Sequence, residues 1–249
     1  MGDAVNVICM KWGALYGPHY VNRLHAMVAR HMARPHRFVC LTDDATGLAP
    51  GIEALPIPPM RIDPPYENTP WRKLALYAPR IGDLSGTALF LDLDVVIVGA
   101  LDPLVEGPPG WRSIRNWTTP RERTANTSVI RFEIGAHADA LDRFHAEPTQ
   151  TWVDRYRIEQ RFLSRELPAI DFFPDPWCVS FKESLLPGGA RFPLILLNRV
   201  LPARRPGPDA RVVVFHGHPN PDEAMEGRWP GAWYKGLRPA DWIGEHWRE

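Results

Sequence analysis

The sequence has no charge bias, no long apolar run and few cysteines, and each shortage removes a class of function. Lys plus Arg and Asp plus Glu both number 29 in 249 residues, for a formal charge of zero. A chain that held nucleic acid by neutralising its phosphates would show a basic excess, so nucleic acid is not an expected partner. The three cysteines, Cys9, Cys40 and Cys178, lie far apart. Without a Cys-x-x-Cys pair to mark a zinc or redox site, they read as reduced, buried thiols of a cytoplasmic protein. No apolar run approaches the roughly 18 residues of a membrane span, and Met1 to Asn6 lack the basic and apolar regions of a secretory leader. There is no Gly-x-x-x-x-Gly-Lys phosphate loop, no hydrolase triad pattern and no internal repeat.

Proline is abundant instead. Its 27 residues are about twice the share expected from a usage near 5%, which predicts ordered, extended connections rather than long helices. The mostly apolar run Ala4 to Met10 reads as a first core strand. Tyr20, Leu24, Met27, Val28 and His31 share one helical face, and Phe38 to Thr42 reads as a second strand, so the chain opens on a parallel βαβ unit. A proline-rich loop follows from Ile52 to Pro70, with a short strand near Ala54 to Ile57 and a short helix from Trp71 to Ala78. Thr87 to Val98 is the most apolar run and reads as a central strand. Further strands are expected at Arg112 to Arg115, Thr127 to Phe132, Phe192 to Leu197 and Arg211 to Phe215. Helices are expected near His137 to His145 and Trp152 to Glu166, all within one domain spanning residues 1–249.

Asp92 and Asp94 interrupt that central run. Burying ionised carboxylates costs several kcal/mol unless a cation compensates. Residues two apart in a strand face one side, about 6.5–7 Å apart along it, so both acids can converge on one divalent ion where the strand ends. Oxygen ligands of this kind suit Mg2+ or Mn2+ partly ligated by phosphate. Near the C-terminus, Val212 to Phe215 runs into His216-Gly217-His218-Pro219, and a neutral imidazole from this loop is a second source of ligands.

The segments Trp71-Arg72-Lys73-Leu74, Gly86 to Gly99 around Leu91-Asp92-Leu93-Asp94, and Leu101-Asp102-Pro103-Leu104 resemble the glycogenin and bacterial galactosyltransferase group, glycosyltransferase family eight. The resemblance is good over Trp71 to Leu104 and looser elsewhere. It implies a three-layer α/β fold of the GT-A, nucleotide-diphospho-sugar transferase type, with a central mixed, mainly parallel sheet. It also implies transfer of a hexose, with retention, from a UDP-sugar or similar nucleotide-diphosphate sugar to a carbohydrate or glycan acceptor. Asp92, Asp94 and His216, with His218 in reserve, would hold Mn2+ or Mg2+, and Leu93 and Lys73 would lie against the donor. Lys11, Trp12 and Tyr16 at the end of the first strand, with Asp43 and Asp44, would form the nucleotide pocket. Ala125 to Val129 is similar to the family's Asn-Ser-Gly-Val strand, and Glu159-Gln160 to its Asp-Gln pair, which makes Asn126, Glu159 and Gln160 the catalytic candidates. In the family's late His-x-Gly-x-x-Lys-Pro segment, Asn220 here takes the place of the lysine. Two other readings of the acidic pair stand beside this one: a haloacid-dehalogenase-like phosphatase, whose first motif is also an apolar strand ending in Asp-x-Asp, and a nucleotide-sugar-binding module without catalysis.

Overall fold

The run from Val5 to Lys11 is a fully buried strand in the computed structural model, which describes residues 4–249. Met1, Gly2 and Asp3, part of the stretch read above for a leader, lie outside the described residues. In chain order the elements begin with β1 (Val5–Lys11), α1 (Pro18–His31), β2 (His36–Thr42), β3 (Glu53–Leu55), a 3-10 helix (Pro70–Tyr77), β4 (Thr87–Leu91), β5 (Val95–Ile97), β6 (Arg112–Arg115) and β7 (Ala125–Glu133). They continue with α2 (Ala138–Ala146), α3 (Thr149–Tyr156), α4 (Glu159–Glu166), β8 (Asp171–Phe172), β9 (Cys178–Ser180), a π-turn (Phe181–Leu185), a 3-10 helix (Leu194–Arg199), β10 (Val212–Val214), α5 (Pro221–Met225) and α6 (Trp242–His246). Two compact units emerge. One holds the chain up to Val21, Arg34–Leu93 and Pro103–Phe172, and the other holds Asn22–Ala33, Asp94–Asp102 and Phe173–Glu249.

The first unit is built on a seven-stranded mixed sheet in the order β3-β2-β1-β4-β7-β6-β8. β1 pairs in parallel with both β2 and β4, while β7 runs antiparallel between β4 and β6. Ile8 and Met10, Val39 and Leu41, and Ala88 and Phe90 all join one core cluster. The residues alternating with them, Val7, Cys9, Cys40 and Leu89, are just as buried. Burial on both faces is why these strands read as continuous apolar runs, as parallel strands do. The cluster is completed by Trp71, Phe144, Trp152 and Phe162 from the 3-10 helix, α2, α3 and α4. Trp71 stacks on Phe144 at 5.6 Å between ring centroids.

In the second unit β5 runs antiparallel to β10, which pairs in parallel with β9. Cys178 is buried there as Cys9 and Cys40 are in the first unit, and all three thiols are free. Phe181 stacks on Phe215 at 4.6 Å.

Four expectations are corrected. Thr87 to Val98 is not one strand: β4 ends at Leu91 in the seven-stranded sheet, β5 begins at Val95 in the three-stranded one, and the two acids occupy the gap. Phe192 to Leu197 is not a strand but leads into a 3-10 helix, whose buried positions are Ile195 and Asn198. The helix expected from Trp152 to Glu166 is two helices, because Arg157 adopts a left-handed φ of 65° that the α-helix cannot continue through. The helix expected from Trp71 to Ala78 takes the tighter 3-10 form and starts at Pro70, whose fixed φ suits a first turn.

Candidate functional site

In the first unit the candidates gather at the carboxyl ends of the parallel strands, where ligands collect in open α/β sheets. β1 ends at Lys11, which is 5% exposed and donates from Nζ to the Asp44 carbonyl at 3.1 Å. Asp43 Oδ2 accepts from the Gly13 amide at 3.1 Å, and Gly13 has the positive φ of 58° that this turn requires. Asp44 Oδ1 accepts from the Thr46 amide, and hydrogen bonds from the Thr46 side chain and amide hold the carboxyl below the usual range. Lys11, Asp43 and Asp44 are therefore brought together, and Trp12 lies partly buried beside them, packed on the core cluster. Tyr16 sets its ring against Tyr20 at 4.8 Å.

The next strand end carries the acid. Asp92 follows β4, its amide donates to the Ser128 carbonyl at 2.9 Å, and its Oδ2 accepts from Lys73 Nζ at 2.7 Å. Both side chains are largely enclosed, at 16% and 11% exposed. Lys73 also stands 5.6 Å from the centroid of the Phe90 ring. It is thus a buried cation at the strand end rather than a solvated helix residue. Leu93 has an apolar side chain that is 3% exposed, which leaves its main chain as the part able to meet a ligand.

Glu159 opens α4 at 1% exposure. Its Oε1 accepts from Thr127 Oγ1 at 2.8 Å, while its Oε2 is buried without a hydrogen-bond partner. Burial pushes the carboxyl above its usual range, and the nearby Lys73 charge opposes that shift only in part. An orphaned buried carboxylate oxygen costs on the order of 1–3 kcal/mol, a cost proteins accept mainly at functional sites. Gln160 follows it, half-buried, on the first turn of α4. Asn126 is 7% exposed, and its Oδ1 accepts from the Ser128 amide at 3.1 Å. This bond sits at an irregularity in the β6–β7 pairing, where Ser113 Oγ shares its single proton between the carbonyls of Asn126 and Val129, at 2.6 and 2.8 Å. The bulge leaves Thr127, Ser128 and Val129 without a partner in β6 while Asn126 stays opposite Ile114, a common device beside active sites. Sequence reasoning quoted Thr127 only as part of a strand; its value as the partner of Glu159 had no local signal.

The second unit holds Asp94 and the histidine loop together. Asp94 is 6% exposed, its carbonyl accepts from the Phe215 amide at 3.2 Å, and its Oδ2 accepts from the Gly217 amide at 3.3 Å. His216, between those two residues, has a φ of 33°, an unusual conformation for a side chain with a Cβ. Its Nε2 lies 2.7 Å from Ser180 Oγ. Burial, reinforced by the Lys182 charge, lowers its pKa to about 4, so the ring is neutral at pH 7. His218 is more exposed, and its Nδ1 is engaged by Glu223 Oε2 at 2.7 Å.

Lys182 donates to the carbonyls of His216 and His218 at 2.8 and 3.3 Å. Ser180, Lys182 and Glu223 were all missed as partners of this loop. They come from distant parts of the chain, with no spacing rule to connect them.

Among the described residues no group of three or more His, Cys, Asp or Glu side chains is gathered for a metal ion. Asp92, Asp94 and His216 carry donor types that a divalent ion takes. Two are carboxylates, and the third is an imidazole held neutral, the protonation state a metal requires.

No family model matches the sequence, and no curated protein matches it either. Solved structures do match the fold. The galactosyltransferase LgtC, crystallised with donor and acceptor sugar analogues, is 13% identical with a TM-score of 0.56, over 87% of this chain and 88% of LgtC. WbbM, described as a bifunctional glycosyltransferase, is also 13% identical with a TM-score of 0.56, over 89% of this chain but 47% of WbbM. The glycosyltransferase GlyE of Streptococcus pneumoniae reaches 0.51 at 13% identity, over 71% of this chain and 47% of GlyE. With its mixed seven-stranded sheet and acids at the end of β4, the chain has the GT-A glycosyltransferase fold.

Proposed function

We propose that this protein is a glycosyltransferase that moves a hexose from a UDP-sugar to a carbohydrate or glycan acceptor, with retention, using Mn2+ or Mg2+. The observation that carries the proposal is the cluster at the end of β4: Asp92 paired with buried Lys73, near a buried Glu159 that has one unpartnered oxygen. Such a group of charges is costly to bury and gains its use when a charged or polyhydroxy ligand enters.

In this reading Lys11, Asp43 and Asp44 frame the nucleotide, with the rings of Trp12 and Tyr16 beside the base. Asp92, Asp94 and His216 would supply the ligands of the ion, and His216 is preferred over His218 because the amides on either side of it in the chain bond to Asp94. When bound, the ion neutralises charge on the departing diphosphate. Lys73 adds a fixed cation. Lys182 offers a second cation beneath the histidine loop, which compensates for Asn220 standing where the resembling family has a lysine. Asn126, Glu159 and Gln160 hold the hexose hydroxyls and orient its anomeric carbon. The bond from that carbon to the diphosphate oxygen breaks, and a bond to the acceptor oxygen forms. The acceptor hydroxyl proton passes to the departing diphosphate.

The reading is tested by thermal shift with UDP, with and without Mn2+, followed by product analysis on UDP-hexoses. We expect UDP to stabilise the protein only with the ion, and Asp94→Ala to abolish the shift. A shift independent of metal, without turnover, would instead identify a binding module. Phosphate release from phosphomonoesters, lost in Asp92→Asn, would identify a phosphatase.

A further inference from the structure

The second unit exposes an apolar row that its own chain leaves uncovered. In a 3-10 helix residues three apart eclipse one another. Ile195 and Asn198 form the inner row of the Leu194–Arg199 helix at 0% exposure, and Asn198 locks it by accepting from the Gly188 amide and donating to the Gly189 carbonyl, each at 2.8 Å. The outer row, Leu194, Leu197 and Val200, is 61%, 40% and 63% exposed. Phe192 and Leu201 at its ends are 60% and 46% exposed. Trp233, 77% exposed, joins the same face: its ring meets Tyr234 at 5.8 Å, Tyr234 meets Phe192 at 5.6 Å, and Arg199 donates to the Trp233 carbonyl. Six large apolar side chains in two adjoining segments are more than the scattered exposure of an ordinary surface.

The charge around this row is one-sided. Residues 184–208 and 227–240 contain seven of the chain's Lys and Arg and none of its Asp or Glu, although the whole chain is balanced at 29 of each. Arg191, Arg199, Arg204 and Arg238 are exposed there, while Arg205 is paired with Glu245 and Arg228 with Glu226. Exposed Leu, Phe and Trp ringed by arginines form the pattern of a surface that sits at the headgroup level of a bilayer, where apolar side chains enter the acyl boundary and cations meet anionic lipid. An acidic protein partner would satisfy the arginines without needing the projecting apolar row.

We propose that the face formed by residues 192–201 and 233–238 docks on the surface of an anionic lipid bilayer. No helix among the described residues is long and apolar enough to span one, so the contact is peripheral. The proposal is independent of the transferase reading, because its test needs no turnover.

The full chain would be sedimented with vesicles of phosphatidylcholine alone and of phosphatidylcholine mixed with phosphatidylglycerol. Partition is expected on the mixed vesicles only, and it should weaken as salt rises toward about 0.5 M, where screening shortens the reach of the arginines. Because each basic side chain at such a surface contributes substantially, Arg191→Glu with Arg204→Glu should lower partition on the order of 10-fold or more. Leu194→Ser with Leu197→Ser should lower it several-fold, and Arg80→Glu, which belongs to the other unit, should not change it. Circular dichroism of the variants would confirm that the fold is kept. Equal binding to both vesicle types, no binding to either, or partition unchanged in both double variants would overturn the proposal. So would concentration-dependent self-association in sedimentation velocity that the same variants abolish, since the face would then belong to a second copy of the chain.

Discussion

Glu159→Gln should stabilise the protein while reducing its activity, and the stabilisation should depend on pH in a direction the structure dictates. The carboxyl is 1% exposed with Oε2 lacking a partner, and burial raises its pKa above the ordinary 4.5. A carboxyl whose folded pKa exceeds its unfolded one binds its proton more tightly in the native state. The native state is therefore penalised as pH rises through the unfolded value and on through the folded one. Near pH 4 most of this penalty is absent, and it grows as pH rises above the unfolded value. Gln is neutral throughout and keeps an oxygen to accept from Thr127, so the variant escapes the penalty. Relieving an unsatisfied buried charged oxygen contributes about 1–3 kcal/mol. For a chain of this size that corresponds to a rise in Tm of roughly 2–12 °C. Thermal unfolding of both proteins at about pH 4 and pH 8 should show a small difference at the lower pH and a clear advantage for Gln at the higher. A Gln variant that is less stable at pH 8, or offset equally at both values, would refute the reasoning. Turnover of a UDP-hexose should fall on the order of 10-fold or more, because the charge that destabilises the fold is the one placed for function.

Thr127→Val removes the hydrogen bond that the Thr127 hydroxyl gives Glu159, and should cost about 1–2 kcal/mol at pH 8 in chemical denaturation and less at low pH. Lys73→Met leaves Asp92 enclosed without its cation and should cost on the order of 3 kcal/mol, read from the denaturant midpoint, along with weaker UDP binding. Gly188→Ala drives a Cβ to 1.9 Å from the Leu194 carbonyl oxygen, so backbone must move; a loss of roughly 1–3 kcal/mol is expected, measured by thermal unfolding. His216→Ala should abolish the Mn2+-dependent part of the UDP thermal shift, whereas His218→Ala should retain most of it.

Much of the architecture is written locally. The apolar runs at Val5 to Lys11 and Phe38 to Thr42, separated by an amphipathic stretch, specify a parallel βαβ unit because only strands buried on both faces tolerate such continuity. The conspicuous acids within Thr87 to Val98 follow from composition alone, since charge in so apolar a frame demands compensation. Local pattern could not show that this run is shared between two sheets. β4 and β5 are equally apolar, and only their hydrogen-bonding partners, β1 and β7 for one and β10 for the other, distinguish them. The apolar, proline-bearing stretch from Phe192 to Leu197 looked like a strand for the same reason, because a short greasy run carries no periodicity of its own. The left-handed turn at Arg157 is invisible in a residue type that favours helices.

What the sequence alone determined is the set of chemical groups: Asp92 and Asp94 two apart, Lys73, Glu159, and a histidine loop after a late strand. Tertiary structure decided their states. Lys73 became the partner of Asp92 across 19 residues, Thr127 the partner of Glu159 across 32, and Ser180 the partner of His216 across 36. Residue identity sets which protons and charges are available. Burial and the neighbour that folding supplies set which of them are held, and that depends on contacts no local spacing encodes.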